Sequence, residues 1–103
     1  MTAYVVSRVT MQPGEALQNY RRLAAASIER HGGRYLVRGG EQQVLEGDWT
    51  PATIVVEFPS MEAARAWYGS SDYAEALEFR DEALSRDLIL VAGVDAPEES
   101  APE

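Results

Sequence analysis

Three strand-like runs of this sequence are apolar at consecutive positions. Residues 88–92 (LILVA) show this most clearly, and residues 54–56 (IVV) and 3–6 (AYVV) share it. Successive side chains of a strand point to opposite faces, so a strand with one face in water alternates apolar with polar residues. Because these runs do not alternate, we expect both faces of the sheet that they form to be covered.

The predicted elements follow the order β-α-β-β-α-β. The strands are runs rich in β-branched and aromatic residues, and the helices carry apolar residues at 3.6-residue spacing. The strands are residues 3–10, 34–38 (continuing extended through 42–46), 53–58 and 87–94, and the helices are residues 15 to about 30, 61–68 and 73–84. This order predicts an α+β, ferredoxin-like fold, a split βαβ arrangement with a four-stranded antiparallel sheet and helices on one face.

Local signals mark the helix ends. Pro13 suits the first position of the first helix, and residues 32–33 (GG) supply its stop. Ser60 is a natural N-cap for the second helix. Asp72 with Glu75 three residues later resembles a capping box for the last helix.

The uncovered face of the sheet predicts a partner. Two helices cover one face, and the other would be an apolar patch of a size that monomers rarely expose. At ~25 cal/mol per Å², covering several hundred Å² on each of two copies contributes well over ~10 kcal/mol before association costs. The simplest cover is a second copy related by a two-fold axis. We therefore predict a homodimer through the sheet face, with a shared barrel-like core; the alternative is a monomer with a modestly apolar face.

The composition excludes several kinds of chemistry. The chain has no cysteine, one histidine, and nine basic residues that are all arginine. Thiolate nucleophiles, lysine Schiff bases and multi-histidine metal sites within one chain are therefore excluded. We expect no metal and no cofactor.

The charge disfavours nucleic acid and anionic membranes as partners. The net charge is −8, and the nine arginines are scattered along the chain. Nucleic-acid binding normally requires a basic stripe.

No run approaches the ~18 apolar residues of a membrane span, and the N-terminus lacks a signal-peptide layout, so we expect a cytoplasmic protein.

The last nine residues differ from the rest of the chain. Residues 95–103 (DAPEESAPE) are acidic, rich in proline and poor in apolar side chains. Such a composition cannot bury enough apolar surface to become ordered. We therefore expect one domain over residues 1–94, followed by a disordered acidic tail over residues 95–103.

Three stretches resemble a known bacterial family. They are residues 31–49 (HGGRYLVRGGEQQVLEGDW), 58–73 (FPSMEAARAWYGSSDY) and 88–94 (LILVAGV). They are similar to the family designated domain of unknown function 1330, and the resemblance covers about residues 3–94. It implies membership of the dimeric α/β-barrel superfamily, which agrees with the dimer predicted from the strands.

The resemblance implies a place for a pocket but no definite reaction. The superfamily includes cofactor-independent monooxygenases, lactone isomerases, polyketide cyclases and haem-dependent proteins. Their pocket usually lies between the sheet and the helices of each subunit. Since one fold hosts many activities, the resemblance supports the fold more strongly than any activity.

Three residues are candidates for catalysis. Tyr20 lies on the apolar face of the first helix, where its hydroxyl either orients a ligand or bonds a backbone carbonyl. His31 titrates near neutrality, so it is a candidate base or haem ligand; the alternative is a helix-end residue favoured by the helix dipole. Arg38, with Arg34 and Glu46, is a candidate for anion binding, against the alternative of a solvated strand edge.

The second helical region supplies candidates for ligand binding. Trp67, Tyr68 and Tyr73 flank the break at residues 69–71, which is a natural mouth or hinge for a pocket. Arg80 is expected to point inward toward a carboxylate. The alternative is that the aromatic side chains only fill the core. Arg8 and Glu57, which interrupt apolar strands, are expected either to pair across neighbouring strands or to form a charge couple at the dimer face.

Three functions remain open from the sequence. The first is a cofactor-independent enzyme, similar to a monooxygenase or isomerase, acting on a small hydrophobic carbonyl or phenolic metabolite. The second is a non-catalytic dimer that binds a small ligand or is associated with stress. The third is a purely structural dimer without a usable pocket. The sequence does not identify the substrate.

Overall fold

The computed structural model describes residues 2–94, which form one sheet and four helices. The elements in chain order are β1 (Ala3–Met11), α1 (Glu15–Arg30), β2 (Arg34–Arg38), β3 (Ala52–Phe58), α2 (Met61–Tyr68), α3 (Ser71–Leu77), α4 (Arg80–Ala83) and β4 (Leu84–Ala92). The predicted tail over residues 95–103 lies outside the described residues.

The sheet has the strand order β2-β3-β1-β4, and every neighbouring pair is antiparallel. The two central strands are β1 and β3, so the chain crosses over between β1 and β2 and between β3 and β4. Helix α1 follows β1, and helices α2 to α4 follow β3. This confirms the predicted ferredoxin-like fold.

The core lies between the helices and one face of the sheet. Alternate residues of β1 point into it, from Ala3 through Val5 to Val9, and all three are buried. Helix α1 meets them with Leu17 and Ile28, at the predicted helical spacing. The largest fully enclosed side chains are Phe58 and Tyr73. Burial of these apolar side chains is the main contribution that holds the helices on the sheet.

The opposite face of the sheet carries no helix of the described residues, and much of it is apolar. Tyr4 and Val6 of β1 lie on it, beside Ile89 and Val91 of β4, their direct partners across the ladder. Ile89 is 58% exposed and Val91 is 43% exposed. We call this surface the open face.

Two ion pairs cross the open face, and they correct one prediction. The Arg8 guanidinium lies 3.0 Å from Asp87, and the Arg34 guanidinium lies 2.7 Å from Glu57. The expected Arg8–Glu57 pair is wrong because the strand register sets Arg8 opposite Thr53 and Asp87.

Strand β2 contains an irregularity that divides its two arginines. The ladder with β3 shifts between Tyr35 and Val37. Arg34 therefore lies on the open face, whereas Arg38 pairs with Ile54 on the helix side. The prediction that both arginines share a face is wrong, since such a bulge re-aims every side chain that follows it. Residues 42–46, predicted to be extended, form no strand.

The second half of the chain also differs from the prediction in its boundaries. The predicted helix over residues 73–84 is two short helices, α3 and α4, and β4 begins at Leu84 rather than Asp87. Ser60 caps α2 as predicted, and its Oγ accepts the Ala63 N–H at 3.0 Å. The cap of α3 is Ser70, whose Oγ accepts the Tyr73 N–H at 3.1 Å, so the Asp72 capping box is wrong.

The first helix begins at residue 15 as predicted, but Pro13 is not its first position. Gly14 is its N-cap and Glu15 its first residue, so Pro13 lies outside the helix. The predicted stop is confirmed, since the Gly33 N–H donates to the Ile28 carbonyl at 2.9 Å and Gly32 has a φ of 82°. None of the helices within residues 2–94 is long and apolar enough to cross a membrane.

The close approach of Gly33 to the core gives a stability prediction. A Cβ at this position would lie 2.7 Å from Phe58 Cε1 and 2.9 Å from Ile28 Cγ2. We predict that Gly33→Ala lowers the free energy of unfolding by about 1–3 kcal/mol, measured by urea denaturation, because overpacking strains the core. Gly40→Ala is the control, since a Cβ there meets nothing within 4 Å. Equal stability of the two variants would contradict the packing at Gly33.

Candidate active site

A cavity of about 700 Å³ lies on the helix side of the sheet, between strands β1 and β4 and helices α2 and α4. We call it the main cavity. Its walls combine apolar side chains with three arginines, and its lining residues are Val5, Ala64, Arg65, Trp67, Tyr68, Arg80, Asp81, Leu84, Arg86, Leu88 and Leu90. A volume of this order suits a small organic molecule.

Arg86 is the polar centre of this region. Its Nη1 donates to the Tyr20 hydroxyl at 2.7 Å, and its Nη2 donates to the Tyr73 hydroxyl at 2.7 Å. The two hydroxyls are themselves hydrogen-bonded to each other at 2.5 Å. One guanidinium and two phenols therefore form a closed triangle, in which each tyrosine is oriented by the other two groups.

Three elements meet to build the triangle. Strand alternation places Arg86 on the helix side, with Leu84 and Leu88 as its neighbours on that face. The apolar stripe of α1 buries Tyr20 against the sheet. Tyr73 is held in the first turn of α3, directly after the Ser70 cap. The site therefore depends on the packing of α1 and α3 over the end of β4.

The charge of Arg86 is not neutralised by a carboxylate. Within residues 2–94, no Asp or Glu oxygen lies within 4.0 Å of its guanidinium. Burial favours loss of its charge, but the oxygens of Tyr20 and Tyr73 outweigh burial and raise the pKa of Arg86. The group is thus a cation that is hydrogen-bonded to two phenol hydroxyls.

Tyr20 is a neutral hydroxyl in this cluster and can donate a hydrogen bond. Burial raises the pKa of Tyr20, and the neighbouring Tyr73 oxygen raises it further, against the opposing effect of Arg86. Because the pKa is high, the phenol stays neutral at physiological pH. Its hydroxyl is therefore available to stabilise negative charge on a ligand.

Trp67 forms the aromatic wall between the cluster and the core. Its ring centroid lies 4.2 Å from that of Tyr73 and 5.3 Å from that of Phe58. The indole Nε1–H donates to Ser27 Oγ at 3.0 Å, and Ser27 in turn donates to the Ala24 carbonyl at 2.8 Å. These bonds fix the plane of the indole at the cavity wall.

The structure brings together five of the seven residues predicted from the sequence. Tyr20 and Tyr73 belong to the triangle with Arg86, and Trp67, Tyr68 and Arg80 line the main cavity. Arg80 lies 3.6 Å from the Asp81 carboxylate, its neighbour in sequence.

Two predicted residues lie elsewhere. Arg38 stacks on the Tyr35 ring, 4.2 Å from its centroid, and the two line a side cavity of about 220 Å³ together with Tyr20. His31 ends α1, with its Nδ1 2.9 Å from the Ser27 carbonyl oxygen, and it lines neither of these cavities. This position matches the helix-end alternative for His31.

Sequence reasoning missed Arg86. The predicted last strand began at Asp87, so Arg86 fell in a connection. The signal was present nonetheless, because Leu84, Arg86, Leu88 and Leu90 occupy alternate positions and therefore share one face. A lone arginine in such an apolar row indicates a buried cation with a specific partner.

The described residues offer no ready metal site. Within residues 2–94, no group of three or more His, Asp or Glu side chains could hold an ion. The polar groups that line the main cavity are instead guanidinium groups, one carboxylate and one phenol.

The family of the chain follows from a match over nearly its whole length. The model of the family described as "Domain of unknown function (DUF1330)" matches residues 2–94. The chain belongs to this family. No curated protein matches it.

Solved structures with the same fold include proteins of known and unknown activity. A protein of unknown function from Rhodopseudomonas palustris is 21% identical, with 92% of this chain and 84% of that chain covered and a TM-score of 0.72. SnoaB, a cofactor-independent oxygenase from Streptomyces nogalater, is 15% identical, with 93% and 96% covered and a TM-score of 0.56. A dabb family protein with a ferredoxin-like fold from Mesorhizobium loti is 12% identical, with 91% and 98% covered and a TM-score of 0.58. At these identities the similarity establishes the fold alone.

The raised pKa of Tyr20 gives a prediction about alkaline stability. An unfolded tyrosine loses its proton near pH 10, whereas buried Tyr20 keeps it, so the unfolded state binds fewer protons above that pH. The free energy of unfolding should therefore fall above pH 10, by up to about 1.4 kcal/mol per pH unit from this group. Urea denaturation from pH 8 to 11.5 measures the slope.

Two variants assign that slope to Tyr20. We expect Tyr20→Phe to show a shallower decline with pH than the wild type. The control is Tyr68→Phe, because the Tyr68 side chain is 45% exposed and makes no side-chain hydrogen bond within residues 2–94. An identical slope for Tyr20→Phe and the wild type would show that Tyr20 is not the buried phenol described above.

Proposed function

We propose that the chain binds a small, largely hydrophobic carbonyl or phenolic metabolite in the main cavity and holds its enolate or phenolate oxygen on Arg86. The observation that carries this proposal is the Arg86 guanidinium, which lines the cavity with two phenol hydroxyls as partners and, within residues 2–94, forms no salt bridge. A partly buried cation of this kind gains most from an anionic oxygen.

The walls of the main cavity support the same class of ligand. Leu84, Leu88 and Leu90 form an apolar floor, and Trp67 and Tyr68 offer aromatic surface. Three arginines against one aspartate make the lining cationic, although the chain as a whole carries a net charge of −8. An apolar body with one acidic oxygen fits these walls better than either a neutral hydrocarbon or a highly charged ligand does.

Catalysis without a cofactor is the activity that we propose for this site. Stabilising an enolate or phenolate makes the neighbouring carbon electron-rich, which is the activation that isomerisation or direct oxygenation requires. In this scheme the ligand gives its acidic proton to solvent and binds as the anion, Arg86 holds the negative oxygen, and the neutral Tyr20 hydroxyl donates a hydrogen bond to the ligand. Molecular oxygen is the oxidant where the reaction is an oxygenation. The fold shared with SnoaB, a cofactor-independent oxygenase, is compatible with this activity.

The alternative is a non-catalytic ligand-binding protein that uses the same cavity. Both functions require Arg86 and the cavity walls, so binding alone does not separate them. Turnover separates them: oxygen consumption or product formation with a bound phenol or enol favours the enzyme, whereas reproducible binding without chemical change favours the binding protein.

We also propose that the protein is a cytoplasmic homodimer that buries the open face. Tyr4, Val6, Ile89 and Val91 form a continuous apolar area on that face, since they are direct or diagonal neighbours across β1 and β4. A second copy would cover this area and bury the Arg8–Asp87 and Arg34–Glu57 pairs at the same interface.

Ligand binding is tested with 4-nitrophenol, whose phenolate absorbs visible light. We predict that the wild type binds the phenolate, detected by a shift of its absorbance and by calorimetry, and so lowers the apparent pKa of the probe. Arg86→Gln should weaken binding about ten- to a hundredfold, because charge-assisted hydrogen bonds contribute ~1.5–3 kcal/mol. 4-Nitroanisole, which cannot ionise, should bind weakly to both proteins.

Two further variants serve as controls. Arg22→Gln removes the same charge from an exposed position on α1 outside the cavities and should bind like the wild type. Arg86→Lys keeps the charge but not the paired donation to two tyrosines, and it should fall between wild type and Arg86→Gln. Equal binding of phenolate by wild type and a folded Arg86→Gln protein would refute the assignment.

The dimer is tested by sedimentation. We predict a mass of two chains at micromolar concentration, and a shift toward one chain for Ile89→Glu, which places a charge on the open face. Ala74→Glu is the control, because Ala74 is exposed on α3, on the helix side of the molecule. A wild type that sediments as one stable, folded chain would exclude the dimer.

A further inference from the structure

A small chamber lies behind Arg86, between α1 and the centre of the sheet. It has a volume of about 50 Å³, and Arg86, Trp67 and Leu88 line both this chamber and the main cavity, so the two spaces adjoin. Most of its other walls are aliphatic, such as Ile28 and Ile54. Three residues that carry hydroxyl groups, Ser7, Tyr20 and Tyr35, are also among its lining residues.

The first unusual group in the chamber is Ser7. It lies on the inward face of β1, directly opposite Ile54 and Leu88 in the ladder, and it is only 5% exposed. None of the side-chain hydrogen bonds formed within residues 2–94 involves its hydroxyl. Among the described residues no fully enclosed side-chain nitrogen or oxygen lacks a partner, so the Ser7 Oγ borders accessible space that a water or ligand atom can reach.

The second unusual group is a hydroxyl hydrogen of the pair formed by Tyr20 and Tyr73. Three hydrogen bonds join Tyr20, Tyr73 and Arg86, and Arg86 donates two of them. The two phenols bring two hydroxyl hydrogens but share only one bond, so one hydrogen remains without an acceptor. Tyr20 lines the chamber and Tyr73 does not. The satisfied arrangement therefore has Tyr73 donating to Tyr20, and Tyr20 donating into the chamber.

We propose that the chamber is a subsite for one hydrogen-bond-accepting oxygen atom, which is a water in the free protein and a carbonyl oxygen of the ligand in the complex. The Ser7 and Tyr20 hydroxyls both donate to this oxygen. The chamber volume of about 50 Å³ agrees with this proposal. A water occupies about 30 Å³ in the liquid and needs at least two polar partners. The chamber admits one or two non-hydrogen atoms beyond the main cavity.

The subsite narrows the class of ligand, and this step rests on the function proposed above. A ligand whose anionic oxygen lies on Arg86 and whose second oxygen lies in the chamber must carry the two oxygens close together. Compounds with a carbonyl beside an ionisable hydroxyl have this arrangement, as in the enols of 1,3-dicarbonyls and in ortho-hydroxy aromatic carbonyls. Simple phenols have no second oxygen, so the water stays in the chamber when they bind.

A pair of probes tests the proposal. 2-Hydroxy-5-nitrobenzaldehyde is 4-nitrophenol with a carbonyl beside the hydroxyl, and the chain has no lysine with which the aldehyde could react. We expect the wild type to bind the aldehyde more tightly than 4-nitrophenol after correction for probe ionisation. The readout is the ratio of the two affinities, because a merely structural change moves both affinities together.

Ser7→Ala should reduce that ratio about three- to tenfold, which is the effect of one lost hydrogen bond of ~0.5–1.5 kcal/mol. Ser7→Val fills the chamber and should abolish the preference for the aldehyde. Ser85→Ala, on the open face, makes the same chemical change away from the chamber and should keep the wild-type ratio. A ratio unchanged in both Ser7 variants would overturn the proposal.

The free protein gives a test that does not depend on the ligand. A high-resolution crystal structure should show one water oxygen within hydrogen-bond distance of both Ser7 Oγ and the Tyr20 hydroxyl, and an empty chamber would overturn the proposal. If neither probe binds, the function proposed above fails, and the presence or absence of this water in the crystal structure decides whether the subsite exists. If 4-nitrophenol binds through Arg86 but the aldehyde gains nothing, only the subsite fails.

Discussion

A guanidinium group hydrogen-bonded to two phenols, with no carboxylate of residues 2–94 paired to it, is the interaction on which the site depends. Arg86 donates to Tyr20 and Tyr73, and the two hydroxyls bond each other. A buried arginine is usually matched by an acid, because an unmatched charge in a poorly solvated place is costly. Within residues 2–94 no carboxylate pairs with Arg86, which is why we propose that an anionic oxygen of a ligand does so.

The rest of the molecule holds this cluster in place. Three separate elements supply its members, and each position follows from a local rule: strand alternation for Arg86, the helical apolar stripe for Tyr20, and the capped first turn of α3 for Tyr73. The Trp67 indole, fixed by Ser27, packs against Tyr73 and limits its movement. Preorganised donors of this kind stabilise charge without a reorganisation cost at the moment of binding.

Much of the fold was predictable, because it follows from residue patterns that are local in the sequence. The spacing of Leu17, Tyr20, Ala24 and Ile28 predicts α1 and its buried face, and the Ser60 cap fixes the start of α2. The strand register was not predictable to one residue. The irregularity in β2 sends Arg34 and Arg38 to opposite faces, and no property of the sequence around it specifies where the ladder shifts.

Most residues of the candidate site were predictable from the sequence, but the way in which they contact one another was not. Tyr20 and Tyr73 are 53 residues apart, and their contact depends on how α1 and α3 pack, which is a tertiary property. Arg86 was missed because the start of β4 was placed three residues too late. His31, selected because it is an imidazole, lies instead at the end of α1 beside the Ser27 carbonyl. Chemical type alone did not distinguish a site residue from a helix-end residue.

A crystal structure of the complex with 4-nitrophenolate tests the central claim most directly. The account predicts the phenolate oxygen within about 3 Å of an Arg86 nitrogen, at ordinary hydrogen-bond length, with the ring against the leucines of β4. A phenolate bound with its oxygen away from Arg86, or with Arg86 turned out of the cavity toward solvent, would contradict it.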